Sequence, residues 1–390
     1  GVCISREPRA GHRPPSSPGL RAMPPRLGAL VLAALLGEAS AGGDVGSRAA
    51  RAEFETFKAA YGRVYIDAGE EEQRFRHFSA SLERVKAHNS LPGITYWKGL
   101  NQFSDMSDEE FQRSILMAPQ NCSATHIATK ATRPASVPDL PSRIDWRERG
   151  VVSEVKNQGS CGSCWTFSTT GCLEAHMALK YEAWQAPRLS EQQLVDCAQA
   201  FDNHGCNGGL PSHAFEYIHA AGGLDTEFHY PYTAKDGACK FDARAQEARR
   251  HLRFEPSSAG IGAKVPGGSV NLTVGDEEGL KFHLAAHGPV SVAFQVASDF
   301  RDYSHGVYTS TVCKNGPGDV NHAVLAVGYG TDPETKMPYW LIKNSWDYSW
   351  GDEGFFKIEA FKNMCGVADC MAFPDLYGLN DAPSPQALVV

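Results

Sequence analysis

The chain has 390 residues and a formal charge of −8, from 37 Lys and Arg against 45 Asp and Glu. That balance excludes a protein that grips nucleic acid through excess positive charge, and 42% hydrophobic with 21% charged residues exclude a disordered chain, a coiled coil and a collagen-like repeat. Eleven cysteines, all but one beyond residue 120, point to an oxidising compartment, to metal binding or to a catalytic thiol.

Residues 1–22 are rich in Pro, Arg and Ser with no hydrophobic period, and read as an unstructured upstream leader. Arg26, the apolar run LGALVLAALLG (27–37) and Ala39-Ser40-Ala41 then have the three-part layout of a secretory signal peptide over 23–41. The apolar run is too short to cross a bilayer as a helix, so no membrane anchor is expected. Phe54, Phe57 and Tyr61, then Phe75, Phe78, Leu82 and Val85, recur at helical spacing and predict two amphipathic helices between Arg51 and Asn89. A short extended stretch, TYWKGLNQFSDMS (95–107), follows. Four prolines among Ser, Thr and Ala make Ala118–Pro141 a linker open to proteolysis.

Beyond the linker, Ser163–Lys180 reads as a helix, and Ser190 opens another with Gln193 three residues on, the capping-box arrangement. A third spans Ser212–Ala221 and closes at Gly222. The period then changes to two: Val290, Val292, Phe294 and Val296 alternate, as do Ala323, Leu325 and Val327, and YWLIKNSW (339–346) is a further strand. A helical half followed by a strand-rich half predicts an α+β protein of two lobes, with a cleft between them. No internal repeat is visible.

The string NQGSCGSCWTFS (157–168) carries the chemistry. Cys161 and Cys164 form a C-x-x-C, which alone fits a redox pair or half of a zinc site; no second pair lies at zinc spacing and no strand precedes the motif, which argues against both. Cys161-Gly162-Ser163-Cys164-Trp165 instead fits the pattern C-G-[SA]-C-[WY] at every position. Cys164 sits where a helix begins, and the positive end of the helix dipole favours a thiolate there. His322 in VNHAVLAVGYG and Asn344 in KNSW offer an imidazole and an amide.

With these motifs in this order the chain resembles the papain-like cysteine peptidases, a likeness that runs from Arg51 to Pro374. The resemblance implies a two-lobed fold with a helical lobe, a β-barrel-like lobe and an N-terminal helical inhibitory prodomain. It implies that Cys164 is the nucleophile, that His322 pairs with it and protonates the leaving amine, and that Asn344 orients the imidazole. Gln158 and the N–H of Cys164 would form the oxyanion hole, and Trp346 would shield the His322–Asn344 bond. Gly162, Gly208, Gly209 and Trp346 would line the substrate cleft. No metal or other cofactor is called for.

The family pattern pairs Cys161 with Cys206, Cys197 with Cys239, and Cys313 with Cys365. Of the remainder, Cys172 shares a helix face with Gly171, Ala175 and Ala178 and reads as a buried free thiol, which leaves Cys122 with Cys370. The octapeptide APQNCSAT (118–125) resembles the disulfide-tethered mini-chain of aminopeptidases in this family. Its new carboxylate on Thr125 would meet the free α-ammonium of a substrate. Asn121 and Asn271 head glycosylation sequons.

Arg74, Phe78, Val85 and Asn89, with Glu70 ahead and Ser81 where the family usually has Asn, resemble the long propeptide helix; Gly99, Asn101, Phe103 and Asp105 match its second motif. Such a segment crosses the cleft in reverse and leaves at acid pH, as carboxylates such as Asp105 lose charge. The expected organisation is leader 1–22, signal peptide 23–41, propeptide 42–117, mini-chain 118–125, excised linker 126–138 and peptidase domain 139–390. The implied product is a monomeric lysosomal peptidase, reached by the secretory pathway and open to partial secretion, that acts on peptides and proteins, is held by its own propeptide and is met by cystatin-type inhibitors.

Three features depart from the pattern. The Cys164–His322 separation of 322 − 164 = 158 residues exceeds the roughly 130–150 of the family, placing an insertion between Ala245 and Gly268 that reads as a surface loop or a gene-model error. Asp347 stands where the family usually has Gly after Asn-Ser-Trp, and the tail Tyr377–Val390 is long. Two other functions stay open on the sequence: an open-cleft endopeptidase, and an inactive homologue that acts by binding.

Overall fold

The computed structural model describes residues 42–122, 129–131, 139–182, 188–243 and 262–377. The leader, the signal peptide, Thr125, most of the excised linker, most of the 245–268 insertion and the tail beyond Tyr377 lie outside the described residues. No helix among the described residues is long and apolar enough to cross a membrane.

Helices α1 (Gly42–Tyr61) and α2 (Ala68–Asn89) bury the aromatic stripe that the spacing predicts. Phe54 and Phe57 meet Phe75 and Phe78 with ring centroids 5.1–5.4 Å apart, a satellite core separate from the main one. Asp67 caps α2 by accepting the Glu70 N–H at 2.8 Å. The stretch 95–107 is less extended than expected: only Tyr96–Lys98 is a strand (β1). Asn101 then turns the chain, its Oδ1 accepting the Phe103 N–H at 2.9 Å. A helix the sequence reading missed, α3 (Asp108–Ser114), follows, capped by Ser107 and opened by Asp108, Glu109 and Glu110.

In the peptidase domain, α4 (Cys164–Lys180) is buried almost all round, against α6 (Pro211–Ala221) on one side and the sheet on the other. Helix α5 (Glu191–Cys197) keeps half of the predicted capping box: Ser190 accepts the Gln193 N–H at 3.0 Å, but the Gln193 side chain turns inward to Tyr217 and Gly223. Gly222 closes α6 at φ 80°, where a side chain would be strained. Helix α7 (Glu277–Ala286) precedes the main strands.

The remaining strands are β2 (Thr129–Lys130), β3 (Ile144–Asp145), β4 (Ser269–Asn271), β5 (Val290–Phe294), β6 (Tyr303–Tyr308), β7 (His322–Thr331), β8 (Pro338–Lys343), β9 (Phe355–Glu359) and β10 (Ala372–Pro374). They form one sheet in the order β1-β6-β9-β8-β7-β5-β10-β4-β2, with β3 against β7. Among the described residues the path stays open, with β1 and β2 at its ends, so the expected barrel-like lobe is a sheet that does not close. Strand β5 is buried on both faces, so the period-two pattern there records side-chain shape more than exposure.

The register positions the site. His322 begins β7 opposite Phe294, and β8 runs antiparallel to β7 with Lys343 opposite Leu325. The chain leaving β8 therefore carries Asn344 and Trp346 back past His322.

Candidate active site

Cys164 is the first residue of α4, and its sulfur accepts the N–H of Ala323, the residue after His322, at 3.3 Å. One hydrogen bond from a strand N–H to the thiol thus ties the helix start to the strand start. His322 is fully buried, and its Nε2 lies 2.8 Å from Asn344 Oδ1. An amide oxygen can only accept, so Nε2 carries the proton and Nδ1, which has no hydrogen-bond partner among the described residues, is the basic nitrogen. The Trp346 ring covers His322 at 4.6 Å between centroids, keeping water from that bond.

Gln158 is oriented from behind. Its Oε1 accepts Ser345 Oγ at 2.7 Å and Trp346 Nε1 at 3.1 Å, which forces its two N–H donors towards the cleft. There Nε2 donates to the carbonyl of Ile115 at 2.7 Å and of Cys161 at 2.8 Å. Ile115 belongs to the N-terminal segment, so the donor predicted for an oxyanion already holds a prosegment carbonyl. Tyr232 adds a brace that the sequence did not reveal: its hydroxyl donates to Gln158 O at 2.7 Å and meets Ser163 Oγ at 2.5 Å.

The segment continues through the cleft. Met117 N–H donates to Asn321 O at 3.1 Å, Ala118 N–H to Asn207 O at 3.0 Å, Gln120 N–H to Val320 O at 2.9 Å and Cys122 N–H to Pro317 O at 3.0 Å. Gly162 and Gly208 permit this approach: a Cβ on Gly162 would crowd Leu116 O at 2.9 Å and Met117 Cα at 3.1 Å, and one on Gly208 would crowd Met117 Cβ at 2.9 Å. Gly209 instead packs on Trp165, 2.9 Å from where its Cβ would lie.

Burial dominates the electrostatics of the covered site. It pushes the Cys164 thiol up to about 12, against the pull of the Ala323, Trp165 and Met117 N–H groups, and it pushes His322 down to about 4. The helix-start argument alone predicts a thiolate; under the prosegment, loss of solvent outweighs the dipole and both groups are neutral.

Disulfides join Cys161–Cys206, Cys197–Cys239, Cys313–Cys365 and Cys122–Cys370, the last across a sequence separation of 248 with Cα atoms 5.3 Å apart. Cys172 is a buried free thiol that donates to Pro289 O at 3.3 Å. Asn121 is exposed, whereas Asn271 is half-buried in β4 with its Oδ1 taken by Ser269 Oγ at 2.9 Å. Among the described residues no group of three or more His, Cys, Asp or Glu is placed to hold a metal ion.

The docking of the N-terminal segment joins the expected propeptide residues Arg74, Asn101, Phe103 and Asp105 to others that the sequence reading left unassigned. Asn101 Nδ2 donates to Arg301 O at 2.9 Å, Arg301 reaches Asp108 at 3.0 Å, and Arg84 pairs with buried Asp302 at 3.2 Å. Phe103 and Phe111 stand edge-on against Trp346 at 5.4 and 5.5 Å. Arg74 grips Glu110 at 2.9 Å, and Asp105 accepts the Tyr65 hydroxyl at 2.9 Å. Arg301 and Asp302 carry no motif; only the fold brings them to the prosegment.

Residues 140–375 match the family described as Papain family cysteine protease, over more than half of the chain. The chain belongs to the papain family of cysteine proteases. Residues 54–111 match the Cathepsin propeptide inhibitor domain (I29), so this papain-family peptidase is a zymogen. Cysteine proteinase 2 of Zea mays is 54% identical over 321 residues, 82% of this chain and 83% of that protein. Pro-cathepsin H of Medicago truncatula is 51% identical over 321 residues, 82% of this chain and 85% of that protein. The solved digestive procathepsin L2 proteinase from Tenebrio molitor larval midgut superposes with a TM-score of 0.73 at 37% identity, covering 84% of this chain and 100% of that one.

Proposed function

We propose that this zymogen matures into a lysosomal aminopeptidase with some endopeptidase activity, in which Cys164 is the nucleophile, His322 its acid–base partner, Asn344 the orienting amide and Gln158 an oxyanion donor. Removal of residues 42–117 returns water to the cleft, which relieves the burial that holds thiol and imidazole neutral and favours a proton transfer from Cys164 to His322 Nδ1. The thiolate attacks the scissile carbonyl. The oxyanion takes the Gln158 Nε2 donor that Ile115 vacates, together with the Cys164 N–H. His322 then gives its proton to the leaving amine, the C–N bond breaks, and water, deprotonated by His322, hydrolyses the thioester and restores the thiol.

One observation carries the aminopeptidase reading: Ala118–Cys122 is hydrogen-bonded along Asn207, Val320 and Pro317 and covalently held through Cys122–Cys370. Excision of 126–138 would leave this mini-chain, 118–125, in place with a carboxylate on Thr125 facing a substrate's α-ammonium. The mature chain is then 139–390, a monomer open to peptide and protein substrates and to cystatin-type inhibitors, reached through the secretory route with Asn121 the better exposed of the two glycan acceptors.

The test compares a free-amine substrate with its N-acylated copy on the matured enzyme. The free amine is expected to turn over at least tenfold faster, and Cys122→Ser to remove the difference; equal turnover of both by the unmodified enzyme overturns the reading in favour of an open-cleft endopeptidase. Absence of any Cys164-dependent turnover would favour a binding role.

A further inference from the structure

A cavity of about 490 Å³ lies between the N-terminal segment and the peptidase domain, beside Trp346. Its prosegment wall brings charges of both signs, among them Arg63, Arg74, Asp105 and Glu110. Its peptidase wall consists of Asn157, Gly159, Ser160, Asp347 and Ser349, so among the described residues Asp347 is the one charged side chain there. This is the position at which the sequence departs from the family's usual Gly.

The loop that presents Asp347 is fixed. Its backbone sits at φ 69°, its N–H donates to Lys156 O at 3.1 Å, and one carboxylate oxygen accepts the Ser349 N–H at 3.1 Å. A bridge between Asn157 and Trp346 joins the two strips of this wall. The prosegment answers the carboxylate from across the cavity. Burial pushes the Tyr61 phenol up, Arg63 pulls it back and Asp347 adds to the rise, so both charges across this cavity act on Tyr61. Gln102 completes the cover, its Nε2 donating to Trp346 O and its Oε1 accepting from Ser349 Oγ at 3.5 Å.

When the prosegment leaves, Arg63 and Tyr61 leave with it, and a fixed, partly exposed carboxylate remains next to Trp346. The N-terminal segment runs from Phe111 against Trp346, through Ile115 at Gln158, to Ala118 at Asn207 and Cys122 at Pro317, so the Asp347 wall beside Trp346 lies at the opposite end of this path from the mini-chain. With the polarity of the proposed function, on which this step rests, that side takes the residues after the scissile bond. We infer that Asp347 is a specificity-determining residue, selecting peptides with Lys or Arg at the first or second position after the cleaved bond. In the zymogen Arg63, paired with Asp105 at 3.4 Å, lines the same cavity as Asp347.

The test uses the matured enzyme and matched free-amine peptides carrying Lys, Gln or Glu at each of the two positions after the bond. Lys is expected to exceed Gln in kcat/KM by about threefold to tenfold at one of them, with Glu below Gln, as for a partly exposed ion pair. The ratio should shrink towards one in 0.5 M salt and in Asp347→Asn, since Asn tolerates the same positive φ; Asp347→Gly is a second variant that the backbone accepts. Indifference of the unmodified enzyme, or a Lys preference that survives both variants, overturns the inference. N-acylated copies separate it from the mini-chain reading: acyl tolerance with an intact Lys preference sinks only the tether, and a basic preference before the bond sinks the assigned polarity.

Discussion

Alkylation of Cys164 in the intact zymogen tests how the prosegment silences the site. With the thiol pushed up to about 12, the thiolate fraction at pH 7 is about 10⁻⁵, against about 10⁻² for an ordinary thiol at 9.0. Iodoacetamide reacts with the thiolate, so labelling should run about a thousandfold slower than for an unperturbed exposed cysteine, a difference near 4 kcal/mol. The rate should also climb about tenfold per pH unit between pH 6 and 10, because His322, pushed down to about 4, is neutral throughout and offers the sulfur no cation. Quenched time courses, digested without reductant and mapped by mass spectrometry, separate Cys164 from buried Cys172. A rate that is flat between pH 6 and 8 would mean that a thiolate–imidazolium pair already exists under the prosegment, and the argument from burial would be wrong.

Three further outcomes follow from the contacts. Arg84→Ala takes one of two arginines from the buried carboxylate of Asp302, leaving Arg301 at 3.4 Å, a loss of about 1–3 kcal/mol in docking, and should raise the zymogen's residual activity about 10- to 100-fold; Asp105→Ala, which removes the partner of Tyr65, should weaken latency less, and a zymogen equally silent in both variants would count against these anchors. Acid should loosen the fold. His322 and His176 are held near 4 and His283 near 3 by burial; because these folded-state values lie below the unfolded value, stability is full above about 6.5 and falls as pH drops towards 4, by at most about 3 kcal/mol per residue. Glu227, raised to about 7 by burial, and Asp302, raised by burial against the pull of Arg84, act with the opposite sign, so urea midpoints from pH 7.5 to 4 should fall less than the histidines alone dictate; a midpoint that rises across that range refutes the balance. Finally, Asp347→Gly removes a side chain from φ 69° and should stabilise by up to about 1 kcal/mol, read as a small rise in Tm.

The parts of the site that lie within one contiguous string were legible in the sequence. Cys164 announces itself through its neighbours and its place at a helix start, and His322 and Asn344 fall at a strand's beginning and a strand's end, where register alone brings them together. The residues that receive the prosegment were not legible, because Arg301 and Asp302 follow no period and acquire meaning only when Asn101 and Arg84 arrive from 200 or more residues away. Helix α3 was overlooked although Ser107 with Glu110 carried a cap signal, since the preceding turns break any period. The electrostatic state of the thiol under the prosegment does not follow from the sequence for a related reason: a helix dipole is local and visible, whereas burial is a property of the whole assembled cleft.

The Cys122–Cys370 bond spans 248 residues of chain yet holds atoms that face each other across one cleft. Any cut between them leaves two pieces that remain one molecule, so counting breaks in the backbone does not count departures from the site. The held fragment experiences a local concentration on the order of millimolar or above, and no dilution in the compartment removes it. Only electrons do. If the tethered segment selects substrates as proposed, a reductant that keeps Cys164 usable also attacks the bond that holds that segment, and the selectivity of a preparation becomes a function of its thiol history.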